Sequence, residues 1–303
     1  MFRRSLVIYI PLAIAVAGSA LGQTPSTGGK LSAVEIAEKN IAARGGLEAW
    51  RAVQTISMSG KMGAGGNQRA TLQVPNPTAA GASGKVGGVS SVVPQRPAEE
   101  VQLPFVMDLA RTRKQRFELQ FNGQTALQVY DGVKGWKLRP YLNRRVVEPY
   151  TEEEAKLASM QADLDGPLVD YAAKGTKVEL AGMEKVDGRD TYKLKLTLKS
   201  GNEMHVWIDA QTFLEVKMEG QPRLLDGAYH PVEVAFRDYR SVSGLQFPFI
   251  LETRVLPIAK TVRGIRDTPV PPETTIIETV VVNPKLEESL FSKPEIAVAS
   301  NAR

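Results

Sequence analysis

The chain has 303 residues, 38 Lys+Arg against 33 Asp+Glu for a formal net charge of +5, two histidines and no cysteine. Without cysteine there is no disulfide framework, no thiolate zinc site, no catalytic thiol and no residue to acylate as an N-terminal lipoprotein. The positive charges are dispersed, and no nucleic-acid-binding motif or basic patch with interleaved aromatics is present, so nucleic acid is not an expected partner.

Residues 1–22 read as an export signal. Arg3 and Arg4 form a basic n-region, Leu6 to Ala17 an apolar core, and Gly18, Ser19, Ala20 and Gly22 the small residues of a cleavage site after Gly22. The apolar run is shorter than the roughly 20 residues that cross a bilayer, which favours a cleaved signal over an anchor and the periplasm as location. Residues 23–30 are a Thr/Ser/Gly linker. A single domain is expected over 31–290, with 291–303 as a tail.

Leu31 to Arg44 reads as a helix, with Leu31, Val34, Ile36, Ala37 and Ile41 near helical spacing and Gly45-Gly46 as its stop. A strand follows over Val53 to Met62. Residues 75–104 are dominated by Pro, Gly, Ala, Ser and Val, a composition that predicts a flexible insertion. From Phe105 the pattern is mostly β. Phe117, Leu119 and Phe121 alternate with polar residues, Leu127 and Val129 continue, and Trp136 with Leu138 and Val146 with Val147 mark two short strands.

One helical interruption comes next. Thr151 with Glu154 is a capping box, Glu152 and Glu153 suit the helix dipole, and Leu157, Met160 and Leu164 form an apolar stripe. Leu168, Val169 and Tyr171 extend it past Gly166-Pro167, which predicts a broken amphipathic helix ending at Gly175. The clearest strands follow. Tyr192, Leu194, Leu196 and Leu198 alternate with lysines and threonine; Met204, Val206 and Ile208 return; Leu214, Val216 and Met218 repeat the pattern. Val232 to Phe236, Phe247 to Val255 and Thr274 to Val282 complete about ten strands. Strands with one charged face suit neither a two-sided parallel sheet nor a lipid-facing barrel. The prediction is a mainly β fold with flanking helices: one curved antiparallel sheet, a half-barrel, closed by helices.

The inward faces would carry Phe117, Phe121, Leu194, Leu196, Met204, Val206, Val216, Met218, Phe236, Phe247 and Phe249. Residue by residue these suit a filled core. A single curved sheet with few helices, however, need not fill its own concavity, and Met and Phe adapt well to irregular chains. They are therefore candidates for an apolar binding cavity, with Leu157, Met160, Leu164 and Leu168 as lid residues. Catalysis finds no foothold. His205 and Asp209 lie about 13 Å apart if extended, His230 precedes a proline, and no metal, nucleophile or phosphate-loop motif occurs. Neither enzyme activity, a cofactor nor a metal is expected.

Several stretches together resemble the outer-membrane lipoprotein-sorting protein family (LolA/LolB-like). They are Ala42-Ala43-Arg44-Gly45-Gly46-Leu47 with Trp50; Asp165-Gly166-Pro167-Leu168-Val169-Asp170-Tyr171; Val186-Asp187-Gly188-Arg189-Asp190-Thr191-Tyr192-Lys193-Leu194; Val206-Trp207-Ile208-Asp209 with Thr212-Phe213-Leu214; and Tyr239-Arg240 with Gly244-Leu245-Gln246-Phe247-Pro248. The resemblance spans Leu31 to Val282 except the 75–104 stretch, and its strength lies in order and spacing. It implies a half-barrel with a helical lid over a cavity that takes lipoprotein acyl chains. For a cavity arginine it offers Arg111, Arg113 and Arg116 and singles out none. The chain is longer than the compact carriers and has the insertion, so the cargo does not transfer. The expected function is a monomeric periplasmic carrier of lipids or lipoprotein acyl chains, with membrane-bound donor and acceptor proteins as possible partners. The alternative is an envelope lipid sensor or adaptor that uses the same cup to engage a protein partner.

Overall fold

The computed structural model describes residues 31–65, 100–140, 144–225, 228–258 and 272–295. The chain divides into two units, Met1–Leu31 and Ser32–Arg303, and of the first only Leu31 is among the described residues. The export signal, the linker and residues 75–99 of the insertion therefore lie outside them.

Helix α1, Ala33–Ala43, opens on a capping box in which the Ser32 hydroxyl accepts from the Glu35 amide and the Glu35 carboxylate accepts the Ser32 N–H at 2.8 Å. It buries Ile36, Ala37, Asn40 and Ile41. Gly45 ends it at φ 117°, and a Cβ there would lie 2.6 Å from the Gly244 carbonyl oxygen, so only glycine fits. The short α2, Leu47–Ala52, brings Trp50 into the core.

Among the described residues, thirteen strands form one antiparallel sheet. They are β1 Thr55–Gly65, β2 Glu100–Ala110, β3 Lys114–Phe121, β4 Gln124–Tyr130, β5 Gly135–Arg139, β6 Arg144–Pro149, β7 Lys177–Val186, β8 Arg189–Thr197, β9 Glu203–Asp209, β10 Glu215–Leu225, β11 Ala228–Val242, β12 Leu245–Val255 and β13 Glu273–Val282. Helix α3, Glu152–Gln161, lies between β6 and β7. The order is β6-β5-β4-β3-β2-β1-β13-β12-β11-β10-β9-β8-β7. Two meanders are thus joined where the first strand pairs with the last, Ile56 opposite Val282. Open sheets of more than about ten strands curl rather than stay flat. The fold is mainly β and the sheet is not closed into a barrel, as the alternation predicts.

Three expectations need correction. Strand β7 has no counterpart in the sequence reading, because a bulge between Leu180 and Gly182 breaks its alternation. The 75–104 insertion ends too late: Glu100–Pro104 already pair with Gly65–Lys61. Pro104 is tolerated because β3 pairs with β2 only from Phe105 onward, leaving that edge free of a ladder bond. The tail does not begin at 291, since the 3-10 turn Glu288–Phe291 leaves Phe291 only 3% exposed. Arg116 donates to the Leu290 carbonyl and Lys114 pairs with Glu288, holding that turn on β3.

The main core gathers Ile41, Trp50, Val53, Ile56, Phe105, Leu109, Leu164, Val169, Leu245, Phe247, Phe249, Ile277 and Val280. It sits where α1 and α2 meet the junction of the two meanders. The two edges of the sheet, β6 and β7, are consecutive in sequence. Their connection, residues 150–176, must run from one edge to the other, and it carries α3 across the concave side.

Candidate functional site

Helix α3 begins at the predicted capping box, with the Thr151 hydroxyl accepting from the Glu154 amide. The Glu154 carboxylate also meets Lys137 of β5. Ala155, Ala158 and Ala162 rest on Tyr130 and Tyr150, so small residues dock the helix at the β4–β5 side. The broken helix is shorter than predicted: after Gln161 the chain proceeds in turns, through Gly166 at φ 77° and Gly175 at φ 74°.

Between α3 and the opposite half of the sheet lies a cavity of about 1220 Å³. Its sheet wall is Met204 and Val206 of β9, Met218 of β10, Val232, Val234 and Phe236 of β11, and Leu251 of β12; Leu157, Met160 and Leu164 face them. Register explains the wall, because Met218 stands between Val206 and Val234 in the ladder and Phe236 opposite Leu251. Met204, Met218, Val234, Phe236 and Leu251 stay partly exposed although they line the concave face. Their side chains do not fill the space.

Of the candidate residues, Met204, Val206, Met218, Phe236, Leu157, Met160 and Leu164 are brought together around this cavity. The others are placed elsewhere. Leu194 and Leu196 share the inner face with Val206 and Met204 but are wholly buried. Leu168 is also at 0% exposure, so it is core and not lid surface. Phe247 and Phe249 belong to the main core, where Phe247 packs on Trp50 at 5.4 Å between ring centroids. Phe117 packs against the same core and stacks on Phe105 at 5.9 Å, and Phe121 is half-buried at the end of β3; neither lines the cavity. Val216 is on the outer face with Trp207 and Val186. A register shift between Glu215 and Lys217 turns it outward and turns Glu215 into the cavity.

The polar groups of the cavity were missed by the sequence reading. Arg44 reaches Glu215 at 3.4 Å, with their side chains 12% and 11% exposed. The Tyr239 hydroxyl donates to Glu215 at 3.2 Å, and burial, with the Glu215 charge, pushes the Tyr239 hydroxyl well above its usual range. Arg44 also donates to the Asp165 carbonyl at 2.9 Å and lies over the Trp50 ring at 4.3 Å. No periodic signal marks this set, because its members come from a helix end, a bulge and a strand end.

The three offered arginines separate. Arg111 binds the Asp165 carboxylate at 2.5 Å and the carbonyls of Val53 and Trp50, which makes it a structural clasp. Arg116 pairs with Glu118 at 2.6 Å beside the C-terminal turn. Only Arg113 lines the cavity. His205 meets Glu219 on the neighbouring strand at 3.0 Å, His230 is buried against the Leu256 carbonyl, and no His/Cys/Asp/Glu cluster suited to a metal occurs among the described residues.

No protein-family model and no curated protein matches the sequence. Among solved structures, the chain is similar to a LolA superfamily protein from Nitrosomonas europaea, at 12% identity over 87% of this chain and 99% of that one, with a TM-score of 0.50. It is also similar to an outer membrane lipoprotein-sorting protein domain from Vibrio parahaemolyticus, at 14% identity over 86% and 96%, TM-score 0.49. A third is a DUF1329 family protein from Desulfovibrio piger, at 13% identity over 86% and 97%, TM-score 0.49. The open sheet, its crossing helix and the first of these likenesses agree on the architecture: the chain shares the fold of the Nitrosomonas europaea protein.

Proposed function

We propose that the protein is a periplasmic carrier that takes acyl chains of lipids or lipoproteins into the cavity beneath α3 and moves them towards the outer membrane. One observation carries this reading: an apolar wall of partly exposed Met, Val, Phe and Leu side chains faces an unfilled space of about 1220 Å³. Moving that apolar surface from water into contact with an acyl chain is favourable. An acyl chain burying about ten methylenes would gain roughly 8 kcal/mol before ordering costs. The α3 connection has the length and position of a lid, held on one side by the alanine stripe and free on the cavity side.

Titration with a fluorescent fatty acid tests the reading. Leu157, 38% exposed on the cavity side of α3, tolerates a polar replacement without loss of core. Leu157→Asp should weaken binding at least tenfold, about 1.4 kcal/mol, while leaving the thermal midpoint unchanged. A native protein that ignores the probe, or a variant that binds as well as native, contradicts acyl-chain binding in this cavity.

A further inference from the structure

The ionisable residues around the cavity are unevenly balanced. Of its three carboxylates, Asp163 pairs with Lys174 at 2.8 Å and Glu215 with Arg44 at 3.4 Å, and Glu219 accepts the His205 backbone N–H at 2.8 Å. Arg113, Lys156 and Lys199, which also line it, have no carboxylate partner among the described residues. Arg113 and Lys156 stand together. Arg113 reaches the Ser159 hydroxyl on α3 at 3.4 Å, and Lys156 lies one turn earlier on that helix.

The backbone aims Arg113 with some strain. The β2–β3 hairpin turns through Thr112 at φ 66° and Arg113 at φ 62°. Such a turn ordinarily takes Asn-Gly or Gly-Gly, because φ is positive at both positions. A β-branched threonine in this region costs free energy that glycine would avoid. The turn is nonetheless packed: a Cβ on Gly132 would come 2.7 Å from the Thr112 carbonyl. Two of the three unneutralised cations, one on the sheet and one on the lid, thus border the same end of an apolar cavity.

Resting on the acyl-chain reading above, we infer that Arg113 and Lys156 form a headgroup site for an anionic amphiphile, binding a phosphate or carboxylate while its chains occupy the cavity. Cations beside a low-dielectric wall attract an anion more strongly than cations in open water, and guanidinium donors suit phosphate and carboxylate oxygens. The anion would bridge β2–β3 and α3, so cargo with this headgroup would draw the lid onto the sheet.

The test compares phosphatidylglycerol with phosphatidylcholine carrying the same acyl chains. The full protein is mixed with vesicles of each, separated from them by flotation, and the lipid in the vesicle-free protein fraction is measured. The expected result is at least fivefold more phosphatidylglycerol than phosphatidylcholine. The Arg113→Gln/Lys156→Gln variant should lose that preference while still taking up both lipids, which also shows an intact cavity. Equal uptake by the native protein, or a preference that survives in the variant, overturns the headgroup site and leaves acyl-chain binding standing. Uptake of neither lipid overturns both. Protein that floats with phosphatidylglycerol vesicles but extracts no lipid would make the cations a membrane-contact patch and overturn the site. Binding of inorganic phosphate without any headgroup preference would assign them to the free ion, also against it.

Discussion

At the residue scale, the cavity depends on contacts that tie the connection 150–176 to the N-terminal helices. Arg51 of α2 grips Asp170 with two bonds, 3.0 Å from Nε and 2.6 Å from its terminal nitrogen. These bonds hold the Asp170 carboxyl below the usual carboxylate range. A carboxyl lowered in the folded state stabilises above its unfolded value, about pH 4, and that contribution is lost as pH falls through the lowered value. Asp170→Asn should therefore unfold at slightly lower temperature than native at neutral pH. The gap should close as pH falls through that lowered value, read from thermal melts across pH; a gap that grows on acidification contradicts the assignment. Alternation puts Val206, Met218 and Phe236 on one face, and all three line the cavity, Met218 just past the β10 register shift. It misplaces Val216, since a single bulge inverts one residue's face, and no local composition announces the bulge.

At the scale of elements, α3 is the decisive piece. Its Ala155, Ala158 and Ala162 recur at helical spacing and let it lie close to Tyr130, while Leu157 and Met160 occupy the adjacent side, facing the cavity. Few apolar contacts hold it, so its own capping matters more than for a core helix. Thr151→Ala removes the acceptor for the Glu154 amide and should cost about 1 kcal/mol of helix stability. Hydrogen exchange should quicken over residues 152–161 and stay unchanged in β10–β12; uniform quickening would mean that the helix is integral to the core and not a lid. The capping box makes this helix legible from Thr151 and Glu154 alone. Leu168 misleads because an apolar residue at the right spacing looks the same whether it enters a cavity or the core. Only the assembled fold, which leaves Leu168 at 0% exposure, decides it.

At the scale of the molecule, two meanders meet through β1 and β13, and the link between the outer strands covers the hollow side. The alternation of Tyr192 to Leu198 and of Met204 to Ile208 is enough to announce a one-sided antiparallel sheet. The pairing of Ile56 with Val282 has no such signature, because partners at opposite ends of the described chain share no turn. The cavity follows from that closure. Among the described residues a thirteen-stranded open sheet is joined by three short helices, and the space between α3 and the sheet is walled by apolar side chains. The charges bordering it are equally a product of assembly, since Arg113 and Lys156 come from a hairpin and a helix that meet only in the fold.

The central claim is that a natural lipid fills this space. Protein exported to a bacterial periplasm and purified without detergent should show, in native mass spectra, a reproducible lipid-sized mass increment that disappears on organic extraction. The increment should be reduced in Leu157→Asp. A native protein that flies at its bare chain mass, and stays bare after incubation with vesicles, would contradict the account.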